Sequence, residues 1–406
     1  AMVDAPVLLA GDIDRGGVFA QLYGTVALLE ESERKRICGL IVNKFRGDSS
    51  ILEPGIRQLE ELCGIPVAGV VPYMDVDIED EDSLSSRLET GKGKAPAAVD
   101  LAVIRFPRIS NFTDFNVFSG IPGVSLRYVT RACDLGTPDM VILPGTKNTI
   151  HDLLWMRQNG LEAAILKLAD RQVQVWGICG GYQMMGEVLV DEKGVESDLP
   201  SRTSGMGLLP LKTEFEKEKI RTQVEGAFGQ LDGCLGGLSG KSIEGYEIHM
   251  GRTYIDREEG AADTARIVSW RREPEICRPM DYVMEMGKDR LLSRKARMDG
   301  WNRGNIYGTY VHGIFDSPGI ARTVAEALAA AKGLCLEQAA DMDYRTYRQQ
   351  QYDKLAEELR ENLDMAAVYR IMGISQKGKM GISQKGKGEE KPDDGYTVGT
   401  GTAGRH

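Results

Sequence analysis

The fold is decided by residues 175–186, which read VWGICGGYQMMG. The stretch opens with an apolar run typical of a buried strand and continues after Cys179 with helical spacing. Gly177 and Gly181 flank the cysteine in a Gly-x-Cys-x-Gly pattern, in which small neighbours permit a tight strand-to-helix turn. The stretch therefore predicts an α/β domain with Cys179 on a sharp elbow at the edge of a sheet.

Cys179 is the strongest candidate for a reactive group. A helix that begins directly after it places free N–H groups and the positive end of a helix dipole beside the sulfur, which favours the thiolate. The alternative is a buried structural cysteine, the usual state of a free thiol. The glycines on both sides favour the nucleophile.

A cysteine nucleophile needs a proton-transfer partner, and the chain has four histidines. His312 follows the strand-like residues 306–311, so its ring is expected at a strand end, where active sites of α/β sheets lie. His249 is the alternative partner, and a structural role is the alternative for either ring. His151 flanks a predicted helix and His406 lies in the tail, so neither is assigned a role.

Acyl transfer also needs donors for an oxyanion. The amide of Gly180 is one candidate, and the loop 144–148, PGTKN, offers the second. Gly145 lets that backbone turn inward, so Gly145 and Thr146 join the candidates. Residues 236–242, GGLSGKS, resemble a phosphate-binding loop but are one residue too short and lead into a strand-like segment, so we do not interpret them as a Walker A motif.

Outward from the elbow, alternating strand and helix patterns predict two parallel sheets. Strands are expected at 6–10, 37–42, 66–71, 101–105, 125–129, 140–143, 173–178 and 305–311, and helices at 18–29, 51–63, 321–332 and 344–372. Residues 200–300 are richer in glycine and predict short strands with insertions. Residues 79–98 are charged and aperiodic, as in a linker. Four segments follow from this pattern: 1–90, 98–335, 336–372 and a disordered tail at 373–406, which repeats GISQKGK.

Composition excludes several classes of protein. The 406 residues are 42% hydrophobic and 27% charged, enough for two or three globular domains, and the net charge of −10 gives no global field for nucleic acid or an anionic membrane. Seven cysteines without a C-x-x-C pair argue against a disulfide framework or a zinc site. No apolar run approaches the roughly 18 residues of a membrane span. We expect a soluble, cytoplasmic protein, and the sequence leaves the residues that would bind a metal unassigned.

Charged residues follow the first two strands of the first domain. The candidates are Asp12, Asp14, Arg15, Asn43, Lys44 and Arg46. At the carboxyl ends of parallel strands, carboxylates reach a metal-bound phosphate and a guanidinium forks onto a carboxylate or phosphate, which suits an acyl-phosphate site. A capped, solvated turn is the alternative.

Taken together, these segments resemble the cobyric acid synthase family, from residue 3 to about residue 372. The most specific matches are DIDRGGVFA at 12–20, NKFRGD at 43–48, PRISNFTD at 107–114, and the elbows at Cys179 and His312. The resemblance implies a partial dethiobiotin synthetase-like, ATP-dependent amidoligase domain at 1–90. It also implies a class I glutamine amidotransferase domain at 98–335, followed by C-terminal helices at 336–372.

The resemblance further implies a reaction: glutamine supplies ammonia, and ATP with Mg²⁺ activates a corrinoid carboxylate. The substrate would be adenosylcobyrinic acid a,c-diamide, amidated at b, d, e and g, with Asn43 contacting the adenine. Because a Gly-rich phosphate loop precedes this region in the family, we expect an N-terminally truncated chain lacking about 130 residues, with ATP and Mg²⁺ bound mainly by the missing segment. Only Arg15, Lys44 and Arg46 suggest an anionic-corrinoid pocket, and the oligomeric state is not predicted.

Two questions stay open. Class I glutaminases often carry a Glu two residues after the histidine, where this chain has Ile314, so the third member of the catalytic set is unassigned. The role of residues 108–114 is undecided, a turn with a helix cap being one account. The alternative functions are a cobyrinate a,c-diamide synthase, a glutaminase subunit that serves a separate ligase, and a binding protein related to partitioning ATPases.

Overall fold

A computed structural model describes residues 4–78, 97–197, 200–255, 278–285, 296–337 and 344–374. These residues fall into two compact units: the described parts of Ala1–Val76 and Gln351–His406 form one, and those of Asp77–Gln350 the other. Most of the predicted linker (79–96 of 79–98) and of the predicted tail (375–406 of 373–406) lies outside the described residues.

The first unit contains a three-stranded parallel sheet. Its elements along the chain are β1 (Val7–Asp12), α1 (Val18–Leu28), α2 (Glu31–Arg34), β2 (Ile37–Phe45), α3 (Glu53–Cys63) and β3 (Val67–Pro72). The strand order is β1-β2-β3, and both pairs are parallel. The predicted β-α-β-α-β pattern is confirmed, and no strand or helix end differs from the prediction by more than three residues.

The helices of this unit follow from residue spacing. Val18, Leu22 and Val26 recur every four residues along α1, so they form one buried face against the sheet. Gly64 ends α3 in the left-handed conformation, and its amide donates to the Glu60 carbonyl.

The second unit is built on one large mixed sheet. Its first elements are β4 (Val99–Ile104), β5 (Val124–Val129), α4 (Ala132–Leu135), β6 (Met140–Leu143), α5 (Thr149–Gln158), α6 (Leu161–Asp170), β7 (Gln174–Ile178) and α7 (Gly180–Met184). They are followed by β8 (Val188–Asp191), β9 (Ser201–Ser204), β10 (Lys212–Phe228), β11 (Ser242–Tyr254), β12 (Arg278–Glu285), β13 (Ala296–Arg303), β14 (Ile306–Thr309) and α8 (Ile320–Ala331).

The order of the strands positions the site. Within the described residues the sheet runs β5-β4-β6-β7-β14-β13-β12-β10-β8-β9, and β11 pairs with β10. Strands β5, β4, β6, β7 and β14 are mutually parallel, so the ends of β6, β7 and β14 meet at one edge. Residues 144, 179 and 310 each follow one of those ends, the carboxyl edge at which parallel α/β sheets hold their ligands. The predicted α/β fold class is confirmed.

Residues 200–300 differ from the prediction of short strands. Strands β10 and β11 span 17 and 13 residues and form an antiparallel pair with an irregularity between Glu214 and Lys219. The middle of β10 is exposed and highly charged, so it lacks the alternating apolar pattern that marks a strand in sequence. Hydrogen bonding between β10 and β11, rather than burial of side chains, sets the length of these two strands.

The end of the chain also differs from the prediction of one helix at 344–372. Two helices occur, α9 (Tyr344–Asn362) and α10 (Met365–Ile371). Asp364 interrupts them with ψ 83°, and its side chain accepts from the Ala367 amide as an N-cap. The amide of Asp364 donates to the Ala68 carbonyl at 2.8 Å, a tertiary bond that no local pattern indicates.

Across the described ranges, the structure contains no helix with both the length and the apolar character of a bilayer span.

Candidate active site

Cys179 lies on a strained turn between β7 and α7. Its backbone has φ 52° and ψ −110°, a combination that non-glycine residues rarely adopt and that clusters at functional sites. The Cys179 amide donates to the Thr309 carbonyl of β14 at 2.9 Å, and its carbonyl accepts from the Gln183 amide at 2.9 Å. The predicted elbow is therefore present, and neighbouring elements hold it on both sides.

The two flanking glycines are required by close packing. A Cβ at Gly181 would overlap the Leu143 carbonyl oxygen at the end of β6, and a Cβ at Gly177 would overlap the side chain of Met185. The Gly181 amide donates to the Pro144 carbonyl at 3.0 Å, which ties the elbow to the next loop. The Gly-x-Cys-x-Gly spacing thus lets the elbow approach β6 closely.

His312 and Asp114 lie beside the sulfur. The Nδ1 atom of His312 is 2.7 Å from the Asp114 Oδ2, although the two residues are 198 positions apart. The Cys179 side chain also interacts with His312 and raises the pKa of its ring. All three are buried, with exposed fractions of 7% for Cys179, 1% for His312 and 3% for Asp114. Cysteine, imidazole and carboxylate thus form one continuous contact set.

The electrostatics favour a protonated imidazole. Burial lowers the pKa of His312, but the Asp114 carboxylate and the Cys179 side chain outweigh it and raise the pKa to about 10. The protonated ring lies beside the Asp114 carboxylate and the Cys179 sulfur, where it can serve as a proton donor.

Backbone and aromatic contacts fix the His312 ring. The His312 amide donates to the Tyr246 carbonyl at 2.8 Å, and the Tyr246 ring stacks on the imidazole with centroids 5.3 Å apart. The Asn111 Nδ2 donates to the Tyr246 hydroxyl at 2.8 Å. Asn111 precedes a 3₁₀ helix, Phe112–Gly120, that carries Asp114, but its side chain makes no cap bond there. The ring is therefore held from β11 and from the segment after β4.

The other histidines have different surroundings. The His249 ring stacks on Tyr310 with centroids 3.7 Å apart, and its Nδ1 lies 3.1 Å from the Gly251 carbonyl oxygen. The Cys179 Sγ donates to the carbonyl oxygen of Ile248, the residue before His249, at 3.5 Å. His151 is exposed in the first turn of α5. The nearest carboxylate oxygen to the His249 ring, on buried Glu247, lies 3.8 Å from Nε2, whereas Asp114 lies 2.7 Å from the His312 Nδ1.

The predicted oxyanion donors face one another near the sulfur. A Cβ built on Gly180 would lie 2.6 Å from the Thr146 Cγ2 and 3.1 Å from the Thr146 amide nitrogen. A Cβ on Gly145 would lie 3.0 Å from the His312 Cε1. Within the part of the chain that the structure describes, neither the Gly180 nor the Thr146 amide donates to a protein acceptor. Two free donors are therefore available beside Cys179.

The candidates of the first unit form a separate cluster at the ends of β1 and β2. The Lys44 Nζ is 2.8 Å from the Asp12 Oδ2, and this hydrogen bond lowers the pKa of Asp12. Arg46 pairs with both oxygens of Asp14 at 3.2 Å, and its guanidinium lies 3.4 Å from the centroid of the Tyr73 ring.

Two more candidates lie at the rim of that cluster. Asn43 is opposite Asp12 in the strand register, and its side chain accepts from the Lys44 amide at 2.9 Å. Arg15 is exposed, and its charge also lowers the pKa of Asp12. The predicted residues are thus brought together as two ion pairs with an amide at their edge.

Sequence reasoning did not identify Asp114 as the partner of His312. The signal was present, because Asp114 stands among Phe112, Phe115 and Phe118, all buried. A carboxylate within such an apolar run is expected to be buried and hence to need a partner. Its partner could not be identified, since the two segments are far apart in the chain.

Comparison with known proteins gives the family. Residues 100–320, more than half of the chain, match the profile of the CobB/CobQ-like glutamine amidotransferase domain, and residues 4–85 match that of the CobQ/CobB/MinD/ParA nucleotide binding domain. A cobyric acid synthase of Ruminiclostridium cellulolyticum is 49% identical over 373 residues, 91% of this chain and 67% of that protein. The chain belongs to the cobyric acid synthase family.

Two further members of the family extend this match. The cobyric acid synthases of Lachnoclostridium phytofermentans and Photorhabdus laumondii are 48% and 44% identical, over 91% and 93% of this chain and 69% and 70% of theirs. The chain thus spans about two thirds of the length of the relatives it matches. As a member of this family with a glutamine amidotransferase domain, it is a carbon–nitrogen ligase.

Proposed function

We propose that the second unit hydrolyses glutamine, with Cys179 as nucleophile, His312 as the proton-transfer residue and Asp114 as the carboxylate that orients it. The observation that carries the proposal is the buried contact set of these three side chains. A cysteine whose base is held by a third group is the general arrangement for nucleophilic acyl transfer.

In the first step, the Cys179 thiolate attacks the carboxamide carbon and an S–C bond forms. The carbonyl oxygen becomes an oxyanion, which the amides of Gly180 and Thr146 stabilise. The imidazolium of His312 gives its proton to the departing nitrogen as the C–N bond breaks, and ammonia leaves. Water then attacks the thioester while His312 accepts a proton, and breakage of the S–C bond releases glutamate.

The first unit would use this ammonia to amidate a carboxylate. Bound ATP with Mg²⁺ would supply the phosphoryl group that converts a carboxylate, a poor electrophile, into an acyl phosphate. The residues that would hold these groups are Asp12 and Asp14 for Mg²⁺, Asn43 for the adenine, and Arg15, Lys44 and Arg46 for anionic groups. Their chemistry fits, because Mg²⁺ is usually bound by one or two carboxylates together with substrate phosphates. Within the described ranges, no cluster of three metal-ligating side chains suggests another kind of metal site.

The substrate we propose is adenosylcobyrinic acid a,c-diamide, amidated at its b, d, e and g carboxylates to give cobyric acid. Relatives named cobyric acid synthase, 44–49% identical over nine tenths of the chain, support this assignment. We further propose a cytoplasmic enzyme, which the free thiols of all six described cysteines support.

The test measures glutamate release from glutamine by the purified chain, with and without ATP and corrinoid, beside a Cys179→Ala control. We expect release that depends on Cys179. Labelling of Cys179 by a glutamine-analogue electrophile then separates two reasons for an inactive protein. A labelled but inactive chain would mean that turnover needs a further component, whereas an unlabelled Cys179 would contradict its assignment.

A second variant tests the division of labour. In a preparation that amidates corrinoid, Cys179→Ser should abolish the use of glutamine and preserve synthesis from added ammonia, because the two reactions use different residues. Loss of both activities in this variant would contradict separate glutaminase and amidation sites.

A further inference from the structure

A buried carboxylate lies directly behind the loop that carries Thr146. Asp152, in the first turn of α5, has no exposed surface. Its Oδ2 accepts from the Thr146 hydroxyl at 2.5 Å and from the Arg108 amide at 3.2 Å. Its Oδ1 lies 3.6 Å from a guanidinium nitrogen of Arg108. One side chain therefore binds two loops that both border the site.

Those two loops are also joined to one another. The Ser110 amide donates to the Gly145 carbonyl at 2.9 Å, and the Lys147 amide donates to the Arg108 carbonyl at 2.9 Å. These bonds fix the direction of the backbone between them, so the amide of Thr146 faces away from the bridge and towards Gly180.

The Thr146 hydroxyl completes the arrangement. Its oxygen lies 2.5 Å from the Asp152 Oδ2 and 3.1 Å from the Arg108 carbonyl oxygen, so we assign its single proton to the shorter contact, and it accepts from the Asn148 amide at 3.2 Å. Rotation of the side chain would break both bonds, so the position of the Thr146 backbone is coupled to the Asp152 carboxylate. Stability alone does not favour a carboxylate here, because burial disfavours its charged form and raises the pKa of Asp152.

We propose that Asp152 is a positioning residue that holds Thr146 so that its amide serves as the second donor to the oxyanion. This inference rests on the proposed glutaminase function. Asp152 contacts no reacting atom and acts through the Thr146 hydroxyl, so its effect belongs to the tetrahedral step and leaves the binding of glutamine unchanged.

The test compares Asp152→Ala, which removes the acceptor of the Thr146 hydroxyl, with Thr146→Val and the double variant by steady-state glutamine hydrolysis. We expect each single variant to lower kcat about 100-fold with KM within about twofold, because a misplaced donor affects the transition state and not the ground state. The double variant should lose no more than either single variant, since both changes break one interaction.

Alkylation of Cys179 by iodoacetamide supplies a second readout. The thiolate forms an S–C bond as iodide leaves, and no oxyanion arises, so the rate for the Cys179 peptide, followed by mass spectrometry, should match wild type in every variant. Exposed Cys133 and Cys335 react separately and are resolved as other peptides. A merely structural role would lower alkylation and kcat together, which would overturn the proposal, as would additive losses in the double variant.

Two further outcomes remain distinguishable. If Asp152→Ala fails to fold, Thr146→Val alone decides, and an unchanged kcat in that variant overturns the proposal. Failure of the glutaminase function itself is detected in the wild-type chain, as absent glutamate release together with an unlabelled Cys179.

Discussion

Replacement of Asp114 by Asn tests whether the carboxylate sets the protonation of His312. The substitution preserves the size of the side chain, and the amide oxygen still accepts from Nδ1, so the ring keeps its orientation while it loses the neighbouring negative charge. Two unit charges about 4 Å apart interact by about 4 kcal/mol at an effective dielectric constant of about 20. At 1.36 kcal/mol per pKa unit, removal of the charge lowers the pKa of His312 by about 3.

The pKa of His312 should therefore fall from about 10 to about 7 in the variant. At pH 8 only about one tenth of the variant would carry the imidazolium, against nearly all of the wild type, so glutamine hydrolysis should fall about tenfold from the charge effect. At pH 6 the His312 ring is protonated in both proteins, so the loss of activity should largely disappear. A damaged fold would instead lower the activity at every pH.

The assay is the pH dependence of kcat/KM for glutamate release between pH 6 and 10, because this ratio reports the ionisation of the free enzyme. We expect the alkaline limb to move from about pH 10 to about pH 7. Asp134→Asn is the matched control, since that carboxylate is half-exposed and pairs with Arg131 at the surface of the same unit. An alkaline limb in the same place, or a loss of equal size at every pH, would refute the reasoning.

Two further predictions concern stability, followed by tryptophan fluorescence, to which Trp155, Trp176 and Trp301 of the second unit contribute. Gly181→Ala should lower the free energy of unfolding by about 3 kcal/mol or more, because its Cβ overlaps the Leu143 carbonyl, whereas Gly120→Ala, with no atom within 4 Å, should change it by less than about 0.5 kcal/mol. Equal effects would contradict the packing argument. Burial raises the pKa of Glu196 from its ordinary value of 4.5 to about 7. Between these two pH values the folded state holds a proton that the unfolded state has lost, so the free energy of unfolding falls as the pH rises through that range. Glu196→Gln should therefore raise the free energy of unfolding at pH 8 by about 1–3 kcal/mol, with a smaller gain at pH 5, and a gain independent of pH would contradict this account.

The part of the fold that local pattern determines was predictable. Strand β6 occurs at the predicted residues, and β7 begins one residue late, because each is a short apolar run buried on both faces. The helix break at Asp364 and the length of β10 were not predictable, since each depends on a partner distant in sequence: the Ala68 carbonyl in one case and β11 in the other.

The same division applies to the candidate site. Cys179 and its glycines are recognisable because the elbow is a local structure whose requirements appear within five consecutive residues. The contact of Asp114 with His312 and that of Asp152 with Thr146 join segments through the tertiary fold. Their roles become visible only when the ends of β4, β6 and β14 are placed at one edge of the sheet.

The turn after His312 explains why the carboxylate that contacts its ring comes from a distant segment of the chain. Gly313 adopts the left-handed conformation with φ 69°, and the chain then enters a short 3₁₀ helix in which Ile314 is completely buried in the apolar core. A glutamate two residues after the histidine would place its charge in that core, at a cost of several kcal/mol unless it were paired. The carboxylate must therefore reach the ring from another element, and the segment after β4 supplies it through Asp114 at 2.7 Å. This segment also carries Arg108 and Ser110, which hydrogen-bond with the loop of Gly145 and Thr146, so the proposed proton-transfer residue and the proposed oxyanion donors depend on one stretch of chain.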